Sequence, residues 1–521
     1  MQEISIGILA ATLVHSLVLP RSVSQRVRMR VAAMLADTQR WTRDLLAGER
    51  DAVLVRDRAR AAMDLVELHY LSIHLPFDTA HGVAQVQILR ALHDRLLTVL
   101  TLSSAVDDAM AELHACAEGV PANLRNVPVD VVDVVDAVDA NEKGRKGDAG
   151  NWRSLLIEGL TAELAELEIA HHDCRLLEQQ LASADPQWVR HVPKRLATHT
   201  NGHVLHRDHW VAARSALGAT IGILLGCGFW IVSGWADGAT AMSIVGTACL
   251  LFGTAEAPVG NVMRYLIGSG IGVVIGLVYG FVIFPRMADF TGMVGALAPT
   301  LLVAGSFLPR PPFTMAALGV ILTFPIIAGL GATNAANFSV AINGSVALFV
   351  GTGMAMVSMR LFQTLDPNRS CVRLCRAMQR DVVRRVAGRD TDTTRWTSRM
   401  LDRIGLLAPK LVGHEHAARI LRSAFCDVRV GNVASELRKL EPTLTDRDAR
   451  NGLVELLDAL SAYFLTHTVA DVSPRHASMY ERLDRLRATA VASRDPERRR
   501  MLVLLSRLHR DLVSRMNGSG A

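Results

Sequence analysis

The stretch SALGATIGILLGCGFWIVSGWA, Ser215–Ala236, runs for 22 residues without a charge. A hydrocarbon core of about 30 Å is crossed by about 20 apolar residues, so this stretch reads as a transmembrane helix. Working outward, Gly238–Ala255, Tyr265–Pro285 and Phe290–Pro309 are charge-free runs of similar length. Pro311–Met359 is also uncharged but too long for one span, and it divides at the Gly- and Asn-rich Gly329–Asn337 into two more. Only eight charged residues occur from Trp210 to Arg360, and they fall in the breaks: Arg214, Asp237, Glu256, Arg264, Arg286, Asp289, Arg310 and Arg360. Six spans return the chain to the side it started from, so both flanking segments share a compartment. The predicted fold class is all-α, a polytopic membrane helical bundle with two cytoplasmic helical domains.

The short loops orient the bundle. Arg207 and Arg214 precede the first span, Arg264 lies at the second turn, Arg310 at the fourth, and Arg360 follows the sixth. The opposite turns hold Asp237, the offsetting pair Arg286 and Asp289, and no charge around Gly331–Asn334. The positive-inside rule makes the arginine-bearing face cytoplasmic, with Trp210 at the inner end of the first span and Trp230 and Trp235 at its outer end. Ile4–Pro20 is a further apolar run, followed by Arg21, Arg26, Arg28 and Arg30. Secretory signals are basic before their apolar core, not after it. This run therefore reads as a helix crossing from outside to inside, which suggests further spans upstream. The predicted division is 1–20 transmembrane, 21–206 cytoplasmic helical, 207–362 six-span membrane domain, and 363–521 C-terminal cytoplasmic helical.

The flanking segments carry apolar residues at spacings of three and four, the mark of amphipathic helices. Predicted helices cover Ser22–Ala47, Asp51–Ile73, Val83–Cys116 and about Trp152–Ala184. After the bundle they cover Val372–Ala387, Thr394–Leu407, Glu415–Leu440, Asp446–Thr468 and Arg475–Met516. Val127–Ala140 is a low-complexity tract with an aspartate every third residue, and Asn141–Gly150 reads as an exposed linker. The formal charge of +6 needs no nucleic acid, since basic residues gather beside the spans and on the tail helices. The seven cysteines form no CxxC pair and are expected to be reduced thiols.

His199, His203, His206 and His209 would share parts of a helical face at a spacing that can bind zinc. Against that reading, the segment contains Asn201-Gly202 and has no thiolate or carboxylate cluster, so no metal is expected. His414-Glu415-His416 lacks the one-turn separation of a zinc-binding HExxH. His171-His172-Asp173 reads as a solvated helix face. With no P-loop, nucleophile elbow or dinucleotide fingerprint, the chain is expected to be neither an enzyme nor an ATPase and to hold no cofactor.

Glycines recur four apart at Gly218, Gly222 and Gly226, and again at Gly268, Gly272, Gly276 and Gly280. Such stripes let another backbone approach closely, and they predict central positions for the first and third spans. A charge at bilayer depth costs at least about 2.5 kcal/mol unless paired or hydrated. The candidates for a substrate or proton path are therefore Arg214, Asp237, Glu256, Arg264, Asn337 and Asn343. Arg214 and Arg360 also read as snorkelling anchors. Glu256 and Arg264 flank Pro258 and form either a plain loop or a gate where a carboxylate takes a proton and a guanidinium holds an anion. Asn343 lies inside an apolar helix and needs a partner.

Several motifs together resemble the fusaric acid resistance (FUSC) family, which includes aromatic acid exporters. They are HRDHW at His206–Trp210, ARSALGAT at Ala213–Thr220, FWI at Phe229–Ile231, GWADGATA at Gly234–Ala241, LFGT at Leu251–Thr254 and FPR at Phe284–Arg286. Asn337-Phe338 and Asn343-Gly344 continue the resemblance, and EISIGI at Glu3–Ile8 is similar to the last span of the family's first membrane half. The resemblance implies a bacterial inner-membrane exporter of small aromatic carboxylic acids, with two membrane halves and about five further spans before Glu3. It also implies a periplasmic membrane-fusion adaptor as partner. The expected energy source is proton coupling; a passive anion channel and a transport-incompetent membrane scaffold are the alternatives. Besides the small organic anion and membrane lipid, a homo-oligomeric partner is expected, because the glycine stripes and the many apolar positions of the cytoplasmic helices need something to pack against. Arg264→Ala is expected to cut transport with expression intact while Arg286→Ala is milder. Transport assays at matched expression check this, and the reverse order would remove the assignment of Arg264.

Overall fold

The computed structural model describes residues 2–17, 23–47, 52–74, 82–115, 152–182, 204–253, 258–287, 289–330, 337–362, 367–412, 416–466, 475–491 and 495–517. Regular structure in them is helical throughout. The chain forms two compact units, one from Met1–His206 with Pro367–Ala521 and the other from Arg207–Asp366. Val127–Ala140, Asn141–Gly150, His199, His203, Glu256 and His414-Glu415 lie outside the described residues.

The first unit contains α1 (Gln2–Leu17), α2 (Val23–Ala47), α3 (Ala52–His74), α4 (Gly82–Ala115) and α5 (Trp152–Ala182). Beyond the six helices of the apolar unit it adds α12 (Pro367–Val386), α13 (Thr393–Leu407), α14 (Ala417–Leu440), α15 (Arg447–Thr466), α16 (Arg475–Val491) and α17 (Pro496–Asn517). Side chains from both segments share one core. Leu92, Leu96 and Leu100 of α4, Leu160 and Leu177 of α5, Trp396 and Ile404 of α13, Val428 of α14, and Leu505 and Leu508 of α17 are all buried in it. The amphipathic faces that the sequence leaves in need of a partner thus find one within the chain. Arg475–Met516, expected as one helix, is two. Pro496 has no N–H to continue a helix, and the Asp495 carboxylate accepts from Glu497 N at 3.1 Å to start the second.

Buried charges tie the two segments together. Arg429 of α14 pairs with Asp108 of α4 and, at 3.0 Å, with Asp511 of α17. Arg510 of α17 meets Glu163 of α5 through two hydrogen bonds of 2.8 and 2.9 Å. Arg58 of α3 reaches Asp107 of α4 at 3.0 Å. Burial, the largest single influence, works to raise the Asp108 and Glu163 carboxyls, but Arg429 with Ser514, Arg510 and Arg422 around the first, and Arg510 with Arg507 and Arg429 around the second, together outweigh it and hold both below the usual carboxylate range. The lead-in to the apolar unit is pinned as well. Val204 N donates to Ser398 Oγ at 2.9 Å, His206 N to Asp402 Oδ2 at 2.6 Å, and Arg403 Nε to His206 Nδ1 at 3.2 Å. Residues 204–208 are not helical, so His206 and His209 share no helical face, and the imidazole of His206 accepts from a guanidinium.

The second unit contains α6 (His209–Ser233), α7 (Gly238–Phe252), α8 (Pro258–Val278), α9 (Phe290–Phe307), α10 (Thr314–Ile327) and α11 (Phe338–Phe362). α8 continues through a π-turn at Tyr279–Ile283 and a 3-10 turn at Phe284–Arg286. Among the described residues, four helices are long and apolar enough to cross a membrane: His209–Ser233, Val259–Arg286, Phe290–Phe307 and Phe338–Phe362. α7 and α10, expected as full spans, have 15 and 14 residues. At about 1.5 Å per residue they fall short of a bilayer core by themselves. Ser5–Val14 within α1 is likewise a short apolar helix, with Ile6, Ile8, Leu9 and Leu13 exposed. The six described cysteines are free thiols.

His171 and Asp173, read from sequence as solvated, are buried, because α5 packs against neighbours on several faces; His172 is exposed. Thr42 Oγ1 donates its single proton to Thr38 O at 3.0 Å, so Nε2 of His171 must be the donor in its 3.3 Å bond to that hydroxyl. Nδ1 is then a buried atom with no partner among the described residues. Burial, reinforced by Arg175, pushes His171 down to about 4. The unfolded chain takes up this proton near pH 6.5 and the folded one does not. Stability is therefore expected to fall as pH drops from about 6.5 to about 4, by up to about 3 kcal/mol. Thermal unfolding across that range should show a smaller pH slope in His171→Gln than in the parent.

Candidate functional site

The glycine stripe of α8 lies against α10. A Cβ at Gly268 would collide with the Ala316 backbone, and one at Gly272 would fall 3.1 Å from Thr323 Cβ. At Gly276 it would fall 2.8 Å from Ile327 Cβ, and at Gly280 3.2 Å from Ala328 O. Gly319 returns the fit against Tyr265 O and Ser269 N. Residue numbers rise together along both helices, so α8 and α10 run parallel. The stripe of α6 packs on α11 in the opposite sense, with Gly218 at Phe362, Gly222 at Ser358, and Gly226 at Met242 and Met354. Ser358 Oγ donates to Gly218 O at 2.7 Å across this contact. The stripes therefore find partners inside the chain and do not of themselves call for a second copy. α8 is central, as expected. α6 is peripheral, since its stripe covers one face and leaves Leu224, Leu225, Ile231 and Val232 exposed.

The parallel register puts Arg264, near the start of α8, at the same end of the seam as Arg310, just before α10, and the α6–α11 contact brings the start of α6, with Arg214, toward the end of α11, with Arg360. The GWADG run has a local cause in the turn between α6 and α7. Gly234 caps α6 with φ 59°, a left-handed conformation suited to glycine, and Gly238 lies where any Cβ would meet the Trp230 ring. Tyr279, first residue of the π-turn, joins three helices. Its hydroxyl donates to Ala296 O of α9 at 2.9 Å and accepts from Thr300 Oγ1 at 2.8 Å, while its ring packs edge-on to Phe324 of α10 with centroids 4.9 Å apart.

Beside this junction, α8, α9 and α10 line an open apolar cleft of about 480 Å³. Ile271 and Ile275 form one wall, Pro299, Thr300, Val303 and Ala304 a second, and Ala316, Ala317 and Val320 the third. Phe307 and Phe313 also line it, their rings edge-to-face at 5.7 Å. Arg310, in the turn between them, holds its guanidinium 5.9 Å from the Phe307 ring centroid. Phe307 is seven positions beyond Thr300, so the cleft extends about 10 Å along α9. Such a site suits a flat apolar molecule with one negative end. The ring would lie among aliphatic walls and phenyl edges, and the charge would meet a guanidinium already held near an aromatic face. Pro299 in that wall has no N–H, so α9 lacks one helical hydrogen bond there.

The residues picked from sequence are dispersed. Arg214 is half-buried on α6 and Arg264 exposed on α8. Asp237 is half-buried at the start of α7, with no side-chain capping bond. Asn337 Oδ1 accepts from Ser339 N at 3.0 Å and Ser339 Oγ at 2.8 Å, which makes it the cap of α11. Asn343 is exposed on α11. The Arg286–Asp289 pair does not form: Asp289 caps α9 through Gly292 N, and Arg286 donates to Val282 O. Tyr279, Thr300 and Arg310 were missed as site residues. The signal for Arg310 was its place between Phe307 and Phe313, but only the tertiary fold turns that spacing into a cleft mouth.

A bundle with four bilayer-length apolar helices is the membrane part of an integral membrane protein. The sequence model of the Fusaric acid resistance protein family matches residues 1–517, and the chain belongs to that family. It is 24% identical over 344 residues to the fusaric acid resistance protein FusC of Burkholderia cepacia, covering 60% of this chain and 95% of that protein. It is 26% identical over 190 residues to the uncharacterized transporter GOX0755 of Gluconobacter oxydans (strain 621H), covering 36% of this chain and 25% of that one. The chain is a membrane transporter of the fusaric acid resistance family.

The α8–α10 seam tests how the cleft is held. Gly268→Ala is expected to lower thermal stability in detergent by about 1–3 kcal/mol, the cost of overpacking. Gly270→Ala on the same helix meets only Phe349 Cζ at 3.7 Å and should be neutral. Equal melting shifts for the two would refute the close approach.

Proposed function

We propose that the protein exports small aromatic carboxylic acids and related toxic compounds, and that the α8–α10 cleft takes the aromatic ring with Arg310 at its mouth receiving the carboxylate. The observation that carries this reading is an apolar cleft lined by two phenyl rings, one of which, Phe307, has the Arg310 guanidinium 5.9 Å from its centroid. The resistance named for the Burkholderia cepacia relative concerns fusaric acid, a pyridine carboxylic acid, and this chemistry is in keeping with such a cleft. Arg264 lies at the same end of the unit and serves as an outer collecting charge. On the positive-inside rule that end is cytoplasmic, the unit lies in the bacterial inner membrane, and the helical unit formed by the flanking segments is cytoplasmic. Export is driven by the proton gradient and passes to a periplasmic adaptor.

A charge-assisted hydrogen bond to a carboxylate contributes about 1.5–3 kcal/mol. Arg310→Gln is therefore expected to raise the half-saturating concentration for aromatic acid efflux about tenfold or more, with matched expression. Phe307→Ala should impair aromatic more than aliphatic acids. Efflux of labelled benzoate from cells carrying each variant, with and without a protonophore, is the measurement. Unchanged efflux in Arg310→Gln would remove the cleft from the path. Uphill export insensitive to protonophore would remove proton coupling, and flux that only follows the gradient would make the protein a channel.

A further inference from the structure

The last helix of the apolar unit is followed closely by α12, whose outward face is a line of arginines. Arg369, Arg373, Arg376, Arg380 and Arg384 are spaced four, three, four and four residues apart. At about 100° per residue they fall within an arc of about 80°, along about 22 Å of helix. Arg369, Arg376, Arg380 and Arg384 are exposed, while Leu374, Met378 and Val382 on the opposite face are buried in the core of the first unit. The apolar face is thus already occupied, and the arginine face is what α12 offers outward.

Five arginines on this face stand against a single carboxylate in the helix. The carboxylate within α12 is Asp381, which is buried and accepts from Arg399 Nε at 2.8 Å and pairs with Arg403 Nη1 at 2.9 Å. Its approach to Arg384, at 3.7 Å, leaves that guanidinium two-thirds exposed. Arg385, the sixth arginine of the helix, turns inward and donates to Asp390 O and Thr393 Oγ1, each at 2.6 Å. Arg380 Nε rests on Arg376 O at 3.3 Å, so it stays on the outward face. Arg369 and Arg376 form no ion pair among the described residues.

We infer that the arginine face of α12 is a docking surface for the anionic lipid headgroups of the membrane in which the apolar unit sits. Charge complementarity and chain length both support this occupant. From Phe362, the end of α11, to Pro367 is five residues, which span at most about 18 Å. A basic helical face tethered this close to a span meets a headgroup layer at high effective concentration, and clustered arginines beside a span attract anionic lipid. The inference rests on the membrane assignment of the apolar unit and is independent of the transported substrate.

The test uses the full chain in mild detergent, with phosphatidylglycerol and phosphatidylcholine titrated separately and bound lipid counted by native mass spectrometry. The parent is expected to prefer phosphatidylglycerol. The combined variant Arg369→Gln, Arg376→Gln and Arg380→Gln should lose about a hundredfold of that affinity, each basic residue being worth about fivefold at an anionic surface. Phosphatidylcholine binding should not change, nor should a control that neutralises Arg389, Arg395 and Arg482. Parent-level phosphatidylglycerol affinity in the variant, or no preference in the parent, would overturn the inference. If the variant does not fold, the parent's preference between about 50 and 500 mM salt decides, because headgroup pairing weakens as the Debye length shrinks. A preference unmoved by salt overturns it. Tighter binding of a short RNA than of phosphatidylglycerol by the parent would assign the face to nucleic acid and also overturn it.

Discussion

The contact between the backbones of α8 and α10 carries the apolar unit. In hydrocarbon, two helices gain nothing from hiding apolar surface, since lipid tails are as apolar as leucine; close packing and polar contacts must hold them. Gly268, Gly272 and Gly276 on one helix and Gly319 on the other let the main chains approach where any side chain would intrude. Because the pairing is parallel, α9 must pass back beside the seam, and the three helices leave a cleft. Tyr279 braces this arrangement at the end away from Arg310 by bonding to α9 and packing edge-on against Phe324 of α10. Without the seam there would be neither walls nor a mouth.

The first unit solves a different problem. Its helices come from two segments separated by the apolar unit, and burial of leucine faces gives attraction but little registration. Registration comes from the buried guanidinium–carboxylate pairs, Arg429 with Asp108 and Asp511, and Arg510 with Glu163. Each pair spans helices from different segments or distant parts of one. Removing one partner of such a pair typically costs about 3–5 kcal/mol, since the other charge stays buried without compensation. These pairs therefore exclude wrong packings more than they add net stability.

The cleft and the arginine face of α12 illustrate two uses of one residue type. Arg310 is placed against an aromatic ring in a turn, where a planar cation with a fixed fork suits a carboxylate. The arginines of α12 are spread along about four turns of helix, a geometry that matches an extended layer of charge rather than one small anion. Position and spacing separate the roles, since the side-chain chemistry is the same.

The sequence by itself determined the helical class, the presence of long apolar helices, and the placing of arginines between the apolar runs. These follow from composition and period, which are local properties of the chain. It also marked the glycine stripes, because a four-residue repeat is visible without a partner. Only the tertiary structure decided which helices those stripes touch, that α6 is peripheral, and that α7 and α10 are too short to span by themselves. A helix end depends on capping and on neighbours, as Asn337 at the start of α11 shows. The same holds for His171, whose sequence looks solvated and whose burial comes from helices far away along the chain. The cleft was illegible for that reason: Ile271, Thr300 and Val320 are unremarkable on their own helices. They become a wall only when a parallel seam, set by the absence of side chains at Gly268 and Gly319, places three helices side by side.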